Sequence, residues 1–528
     1  MDCFRLHHTL AHGLQRAPDA TAFLLPTGER ITYAAFAKRV AAARQRLHQA
    51  GIQRHDRVGI QIPRSADEIA CVFAVAESGA VFSVASAKWR SDQVVAAARQ
   101  CGWRALFCTP QRSSEMAARL ANEKCQILTV TPNLLTEPCD VSCLPPPVEG
   151  SDLDLAGIFF TSGTSGTPKG VMISHRTLLD GLRRVDGYLQ HRPADRILPV
   201  LSPSAPWGTL QFAMAFARGA AVVLVPVAIP DELAKLVRRH EATGLPAMPP
   251  TWVGLVEYLL DTGTCLPSLR YVTSSGGVIP RRILAAMPSV FPNADIHLTY
   301  GLSEAFRSTV VPPEWFQRKM GSLGRPCPNV DIHLLHESGR LCQPGEIGEL
   351  IHRGTLVAQG YWNDPEATAA SFRPCAALRE SIGDQIVHFS GDLVRQDEEG
   401  FLWYVERKQE QIKVSGYLVS AEQIEATALE TGWIVAAIAV GMPDPRLGQR
   451  VELVVETGTG YSGDVIPRLD AHLRASLPSY MWPGKIHHWN ESLPRTETGK
   501  LDRAEVLRLL SSTSIAAPDH PPRAGDTR

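Results

Sequence analysis

The sequence predicts an α/β protein, with a large N-terminal domain of layered α/β subdomains and a small C-terminal α+β domain. Three observations carry this reading. Amphipathic helical stretches alternate with short β-branched runs over most of the chain, the pattern of mainly parallel strands joined by helices. The 528 residues exceed what a single hydrophobic core organises. From about Arg407 a new unit begins, with its own β-rich runs and a closing helical pattern.

The elements follow in order. "ITYAAFAKRVAAARQRLHQAG" is an Ala-rich amphipathic stretch that stops at Gly51, and the β-branched "DRVGIQI" follows it. "ADEIACVFAVAESGA" and "SDQVVAAARQCG" repeat the helical pattern, the second leading into "WRALFCT". Later, "RRILAAMPSVFPNA" leads into "DIHLTYG". The Pro-rich "TEPCDVSCLPPPVEGSD" reads as a surface connection, and "GEIGELIHRGTLVAQGYW" has strand and turn character. The second unit holds "IKVSGYLVSAEQIEATALE", the β-rich "WIVAAIAVGM" and "RVELVVE", and the helical "LDRAEVLRLLSS". The expected boundaries are 1–406 for the N-terminal domain and 407–512 for the C-terminal domain, with a disordered tail at 513–528.

Composition excludes several classes. The apolar fraction of 44% and charged fraction of 20% are those of an ordinary globular protein. A net charge of -1 gives no general attraction for nucleic acid. The N-terminus lacks the apolar core of a secretory signal, and no stretch approaches the ~18–20 apolar residues of a membrane span. Eleven cysteines lie scattered; Cys139 and Cys143 are closely spaced, but no second pair or nearby His completes a zinc site. Reduced thiols in a cytoplasmic protein are the simplest expectation.

The most informative stretch is "FFTSGTSGTPKGVMISH", Phe159 to His175. Gly163, Gly166 and Gly170 permit close backbone approach. Exposed N–H groups and the hydroxyls of Thr161, Ser162, Thr164, Ser165 and Thr167 can donate to phosphate oxygens, with Lys169 supplying positive charge. A P-loop does not fit, because Pro168 separates the glycines from Lys169 and Gly170 stands where Ser or Thr belongs. Composition alone leaves either a phosphate-binding loop or a flexible surface loop.

The exact string TSGTSGTPKG resembles the signature loop of the AMP-forming adenylating superfamily, which includes acyl- and aryl-CoA ligases, peptide-synthetase adenylation domains and luciferases. Further motifs follow in that family's order. "VTSSGGVIP", with Gly276 and Gly277, resembles its Gly-rich segment beside the adenine pocket. "LTYGLSEAFRST" resembles its Tyr-Gly-x-Thr-Glu motif. By that resemblance Tyr300 stacks on adenine beside Gly301, Ser303 contacts the α-phosphate and Glu304 holds Mg²⁺. "GELIHRGTLVAQGYWNDPEAT" matches a mainly structural segment. In "HFSGDLVRQDEEGFLWYVERKQEQIKVSGY", Asp392 falls on the acid for the ribose hydroxyls and Arg407 on the arginine before the hinge. Gln409 falls on the hinge, and Lys413 and Gly416 on the face brought to the thiol tunnel. "LPRTETGKLDR" places Lys500 on the mobile catalytic lysine.

The resemblance, which spans nearly the whole chain, implies carboxylate activation by MgATP to an acyl-adenylate with pyrophosphate release. Transfer to CoA or to a carrier-protein phosphopantetheine follows, and a mobile C-terminal domain serves the two half-reactions alternately. No Gly-Gly-x-Ser segment follows Lys500, so a carrier would be a separate protein. Two positions depart from the family pattern: Glu406 replaces the usual Gly before the hinge arginine, and neutral Gln409 replaces Asp or Lys.

"LTYGLSEAFRSTVVPPEW" is similar to a branch of stand-alone ligases that includes prolyl-AMP ligases and acyl-CoA ligases. Amino-acid activators carry an acid for the substrate ammonium after the apolar strand, yet Ser202 to Trp207 contain none. An apolar or aromatic acid is therefore expected, with Trp207 and Trp252 as pocket candidates and Met214 beside them. The alternatives are an amino-acid adenylating enzyme that loads a carrier, and an inactive nucleotide-binding scaffold suggested by Glu406 and Gln409.

Overall fold

Local signals start the N-terminal helices where the sequence suggests. The Thr32 side chain accepts from the Ala35 amide and caps Tyr33–Gln49, and Ser65 does the same for Ala66–Glu77 through Glu68. Ser174 caps His175–Leu189 by accepting from Thr177. Pro206 and Pro249 occupy first-turn positions of Pro206–Arg218 and Pro249–Asp261, where no backbone donor is lost.

The structure is a computed structural model that describes residues 3–87, 89–131, 144–161, 169–408, 412–414, 417–444, 447–458, 465–489, 491–496 and 499–514. The chain divides into two compact units, Met1–Tyr404 and Val405–Arg528. The expectation of a disordered tail falls almost wholly outside the described residues, although the last helix, Arg503–Ser514, runs into its start.

Among its described residues, the first unit contains three sheets. A six-stranded sheet runs Gln126–Thr129, Ala105–Cys108, Arg57–Gln61, Val81–Val84, Leu155–Thr161 and Lys169–Ser174, parallel except for the last pair. A nine-stranded sheet has Gly244–Ala247, Tyr271–Ser274 and Asp295–Tyr300 as parallel neighbours, with Ser274 opposite Leu298. A smaller antiparallel sheet centres on Ile347–Arg353 and Ile386–Gln396. These are the α/β layers the alternating pattern predicts. Among the described residues, no helix is long and apolar enough to cross a membrane.

The second unit is α+β. Ile434–Asp444 pairs antiparallel with Gly448–Thr457, and Lys485–Trp489 adds parallel to the latter. Its core joins Ile424 and Ala428 to Leu453, Leu469 and Leu473.

One buried acid tests this packing. Glu68 is 3% exposed on the Ala66–Glu77 helix, and its Oε2 has no hydrogen-bond partner among the described residues. Burial pushes its carboxyl up to about 8, with Arg64 opposing. The folded carboxyl therefore keeps a proton that the unfolded chain releases near 4.5. Its stabilising contribution is complete below that value and is lost as pH rises towards about 8. Urea midpoints measured at about pH 5 and about pH 8 should fall with pH in the native protein and fall less in Glu68→Gln. Equal slopes would contradict the protonated carboxyl.

Candidate active site

Two of the expected residues meet through a third that the sequence did not single out. Lys169 opens the Lys169–Ser174 strand, and Glu304 lies in the turn after the Asp295–Tyr300 strand. The Tyr361 hydroxyl donates to Glu304 Oε1 at 2.9 Å, and the Lys169 ammonium lies 5.0 Å from the centroid of the same ring. Tyr361 is held by backbone pairing. The Met172 amide donates to Gly360 O and the Trp362 amide to Gly170 O, while Ala358 N donates to Glu304 O at 2.8 Å. The segment from Val357 to Trp362 thus stitches the lysine strand to the glutamate turn. Glu304 is half-buried, and its second oxygen accepts no hydrogen bond among the described residues.

The second cluster forms around Tyr300, whose hydroxyl donates to Asp392 Oδ2 at 2.5 Å. Asp392 is 3% exposed and sits where Ile386–Gln396 slips register against Ile347–Arg353. Gly391 makes that irregularity possible with φ +74°, and its amide donates to Glu349 Oε1 at 3.2 Å. The Ser390 hydroxyl accepts from the Asp392 amide at 3.0 Å. Below Tyr300 the His352 ring is nearly parallel, with centroids 6.2 Å apart and planes at 17°. Burial, followed by the neighbouring His388, holds the His352 imidazole well below its usual range, so the ring is neutral.

Gly276 and Gly277 follow the Tyr271–Ser274 strand, whose Ser274 carbonyl accepts from the Thr299 hydroxyl. They therefore lie at the same strand ends as Tyr300, where open parallel sheets bind ligands. Ser303 is half-buried between Tyr300 and Glu304. The turn closes tightly: a Cβ on Gly301 would lie 2.5 Å from the Arg307 amide nitrogen. Arg307 itself has φ +61°, a left-handed conformation that costs a non-glycine residue about 1–2 kcal/mol.

The pocket candidates separate. Trp207, half-buried in the first turn of Pro206–Arg218, lies under the Arg307 guanidinium, with Cζ 4.2 Å from the ring centroid. Trp252 is fully enclosed, edge-on to Phe291, and donates its indole N–H to Ala247 O. Its side chain is core and has no face open to a substrate, contrary to the sequence expectation. Met214 is likewise buried in the core. A cavity of about 540 Å³, lined by Arg270, Asp295, His297 and Glu314 among others, adjoins the opposite end of the Asp295–Tyr300 strand and touches none of the expected residues.

Thr161 ends the Leu155–Thr161 strand, opposite Lys169 in the ladder. Ser162, Gly163, Thr164, Ser165, Gly166 and Thr167 lie outside the described residues, as do Gln409 and Gly416. In the second unit, Arg407 closes the Leu402–Arg407 strand beside half-buried Glu406, and Lys413 is the middle residue of Ile412–Val414. Lys500 is exposed on a turn whose base is closed by Asp502 N on Pro494 O and whose tip by Thr496 N on Lys500 O.

Residues 10–362 match the sequence pattern of the AMP-binding enzyme family. The chain belongs to that family. Residues 423–500 match its C-terminal domain. This AMP-binding enzyme is 28% identical over 518 residues to phenyloxazoline synthase MbtB of Mycobacterium sp., covering 96% of this chain and 42% of that protein. It is 30% identical over 358 residues to a Bacillus subtilis long-chain-fatty-acid–CoA ligase, covering 67% of this chain and 61% of the other. The chain thus spans less than two thirds of either relative. Its fold is similar to that of o-succinylbenzoate-CoA synthetase MenE from Bacillus subtilis in complex with an acyl-adenylate, with TM-score 0.83, 22% identity and coverage of 94% and 97%. MenE has also been solved with ATP and a magnesium ion. The family's reaction is acyl-adenylate formation from ATP and a carboxylate, followed by thioester transfer.

Removing the Tyr361 hydroxyl should be felt in stability as well as chemistry. Tyr361→Phe deletes the donor to half-buried Glu304 and should cost about 1 kcal/mol in urea unfolding. An unchanged midpoint would mean the contact contributes nothing to holding the turn.

Proposed function

We propose that this chain is an AMP-forming acid–thiol ligase. It joins a carboxylate to the α-phosphorus of ATP with release of pyrophosphate, then passes the acyl group to the thiol of CoA or of a carrier's phosphopantetheine, releasing AMP. The observation that carries the reading is the meeting of Lys169 and Glu304 on one tyrosine. It brings together a cation for phosphate oxygens and a carboxylate whose second oxygen, unengaged among the described residues, suits a hard divalent ion.

The chemistry requires two anions to approach, so neutralising and orienting charge dominates the barrier. Lys169 counters charge on the β,γ-phosphates, together with the hydroxyl-rich loop from Thr161 to Thr167. Glu304 would hold Mg²⁺, which supplies further neutralisation when bound. Ser303 donates to the α-phosphate. Tyr300 offers an aromatic face to adenine beside Gly276, Gly277 and Gly301, and Asp392 suits the vicinal ribose hydroxyls. From the C-terminal unit, Arg407 reaches the ribose and Lys500 bridges the reacting carboxylate and phosphate. Rotation at Gln409 then exchanges Lys500 for the face bearing Lys413 and Gly416. A cytoplasmic location fits the free thiols of described cysteines such as Cys71, Cys101 and Cys327.

An amino acid bound through its ammonium is the weaker reading, because the candidate pocket presents the buried cation Arg307 over Trp207 instead of an acid.

Pyrophosphate release with MgATP, measured across aryl, fatty, short-chain and amino acids without thiol, tests the proposal. At least one acid should respond, and chelating the metal should abolish the response. ATP binding without release for any acid would overturn it in favour of a scaffold. Lys500→Ala should slow adenylation about a hundredfold or more while sparing thioester formation from supplied acyl-AMP. Equal loss in both half-reactions would contradict the assigned role. Asp392→Ala should weaken ATP binding, and unchanged affinity would remove the ribose assignment.

A further inference from the structure

Arg307 is an anomalous charge in the first unit. Its side chain is enclosed, with 4% of the residue exposed, yet it forms no ion pair with any described residue. One guanidinium nitrogen donates to the Thr299 hydroxyl at 2.8 Å, and Nε has no acceptor among the described residues. The ionisable groups that face it are neutral at physiological pH. Burial raises the Tyr188 phenol above its usual range and pushes the Cys327 thiol up to about 12. His297, packed on Tyr188, is lowered to about 4, mainly by burial. An enclosed cation without a counter-charge is costly, and burial lowers its own proton affinity accordingly.

Among the described residues, the orphaned polar atoms around it occupy two neighbouring elements, the Pro206–Arg218 helix and the Tyr271–Ser274 strand. Trp207, beneath the guanidinium, has a buried indole N–H with no acceptor. One turn along that helix, Gln211 donates weakly to Trp207 O at 3.4 Å, and its Oε1 is unsatisfied. Ser274, whose carbonyl holds the Thr299 hydroxyl, has an unsatisfied Oγ. Unsatisfied groups are rare in interiors, and their concentration beside one cation marks a place built for a polar ligand. Arg307 follows Glu304 by three residues, so this place adjoins the expected adenylation site. The two unmet N–H donors belong to Arg307 and Trp207, and a carboxylate supplies the acceptors and charge they lack.

We propose that Arg307, with Trp207, receives a second carboxylate carried by the acyl substrate, so that the enzyme activates dicarboxylic acids at the end remote from this arginine. The inference rests on the adenylation reading above and names its substrate class. A monoacid of the same length leaves the guanidinium buried and unpaired, so discrimination is large.

The test compares succinate, glutarate, adipate and phthalate with butyrate, pentanoate, hexanoate and benzoate. Pyrophosphate release with MgATP and the acid-induced rise in melting temperature without ATP are both measured. At least one diacid should exceed its monoacid about a hundredfold in kcat/KM and raise the melting temperature where the monoacid does not. Arg307→Met should erase both differences, and Arg307→Lys should retain part of them. If Arg307→Met fails to fold, the native ratios and the lysine variant still decide.

Each other outcome is also decisive. Diacid-dependent stabilisation that Arg307→Met removes, without pyrophosphate release, would uphold the anion site and overturn the ligase reading. Monoacids used as well as diacids would uphold the ligase and overturn the anion site. Absence of both diacid stabilisation and diacid turnover would also overturn the anion site.

Discussion

Tyr361 supplies the constraint on which the described half of the site depends. Its ring and hydroxyl engage groups of opposite charge, Lys169 on a strand of one sheet and Glu304 in the turn after a strand of another. Neither long side chain fixes its own position, since each would lose rotamer entropy on being held. The phenol orders one by hydrogen bonding and lies beside the other through its π-face, and it is itself fixed by antiparallel bridging at Val171. The two charges are thereby oriented without being joined directly. That separation matters, because a lysine and a glutamate closed into a salt bridge would be less available to phosphate and metal.

The end of the site formed by Tyr300 and Asp392 is organised by shape. Asp392 points out of its ladder because Gly391 takes a left-handed conformation that interrupts the pairing with Ile347–Arg353. Tyr300 reaches it from another sheet and rests on neutral His352. A protonated His352 would add a buried cation under the aromatic face, and burial prevents this. The two ends are joined by the turn from Gly301 to Glu304, so the positions of the Tyr300 ring and the Glu304 carboxylate are linked through a few covalent bonds.

Much of the fold was legible because its determinants are local. Tyr33–Gln49 and Ala66–Glu77 show helical periodicity with Ser or Thr caps, and Arg57–Gln61 is a β-branched run after a glycine. Arg196–Ile197 was not legible: two residues form a central strand only because Ala221–Val223 and Gly244–Ala247 flank them. The candidate site was legible as a series of motifs, whose family resemblance pointed to Lys169, Tyr300, Glu304 and Asp392. Their partners were not, since Tyr361 and His352 acquire their roles through tertiary pairing that no local pattern encodes. Trp252 misled because a proline-flanked tryptophan looks the same in a pocket wall and in a core. Its enclosure against Phe291 comes from helices packing together.

Arg307 shows how a motif can contain more than its recognised residues. The string "YGLSEAFRST" names its chemistry at Tyr300 and Glu304, but the turn that delivers them also folds back on Gly301 and carries Arg307 inward in a left-handed conformation. Backbone strain and an enclosed cation are both unfavourable, and one hydrogen bond to Thr299 with a tryptophan face offsets only part of that. An apolar side chain at the same place would fill the space without a desolvation cost. Stability therefore gives no reason for an arginine there, whereas recognition of an anion does. The same argument explains why the acid typical of amino-acid activators is missing between Ser202 and Trp207. A carboxylate beside Trp207 would neutralise Arg307 and close the place that a substrate anion would occupy.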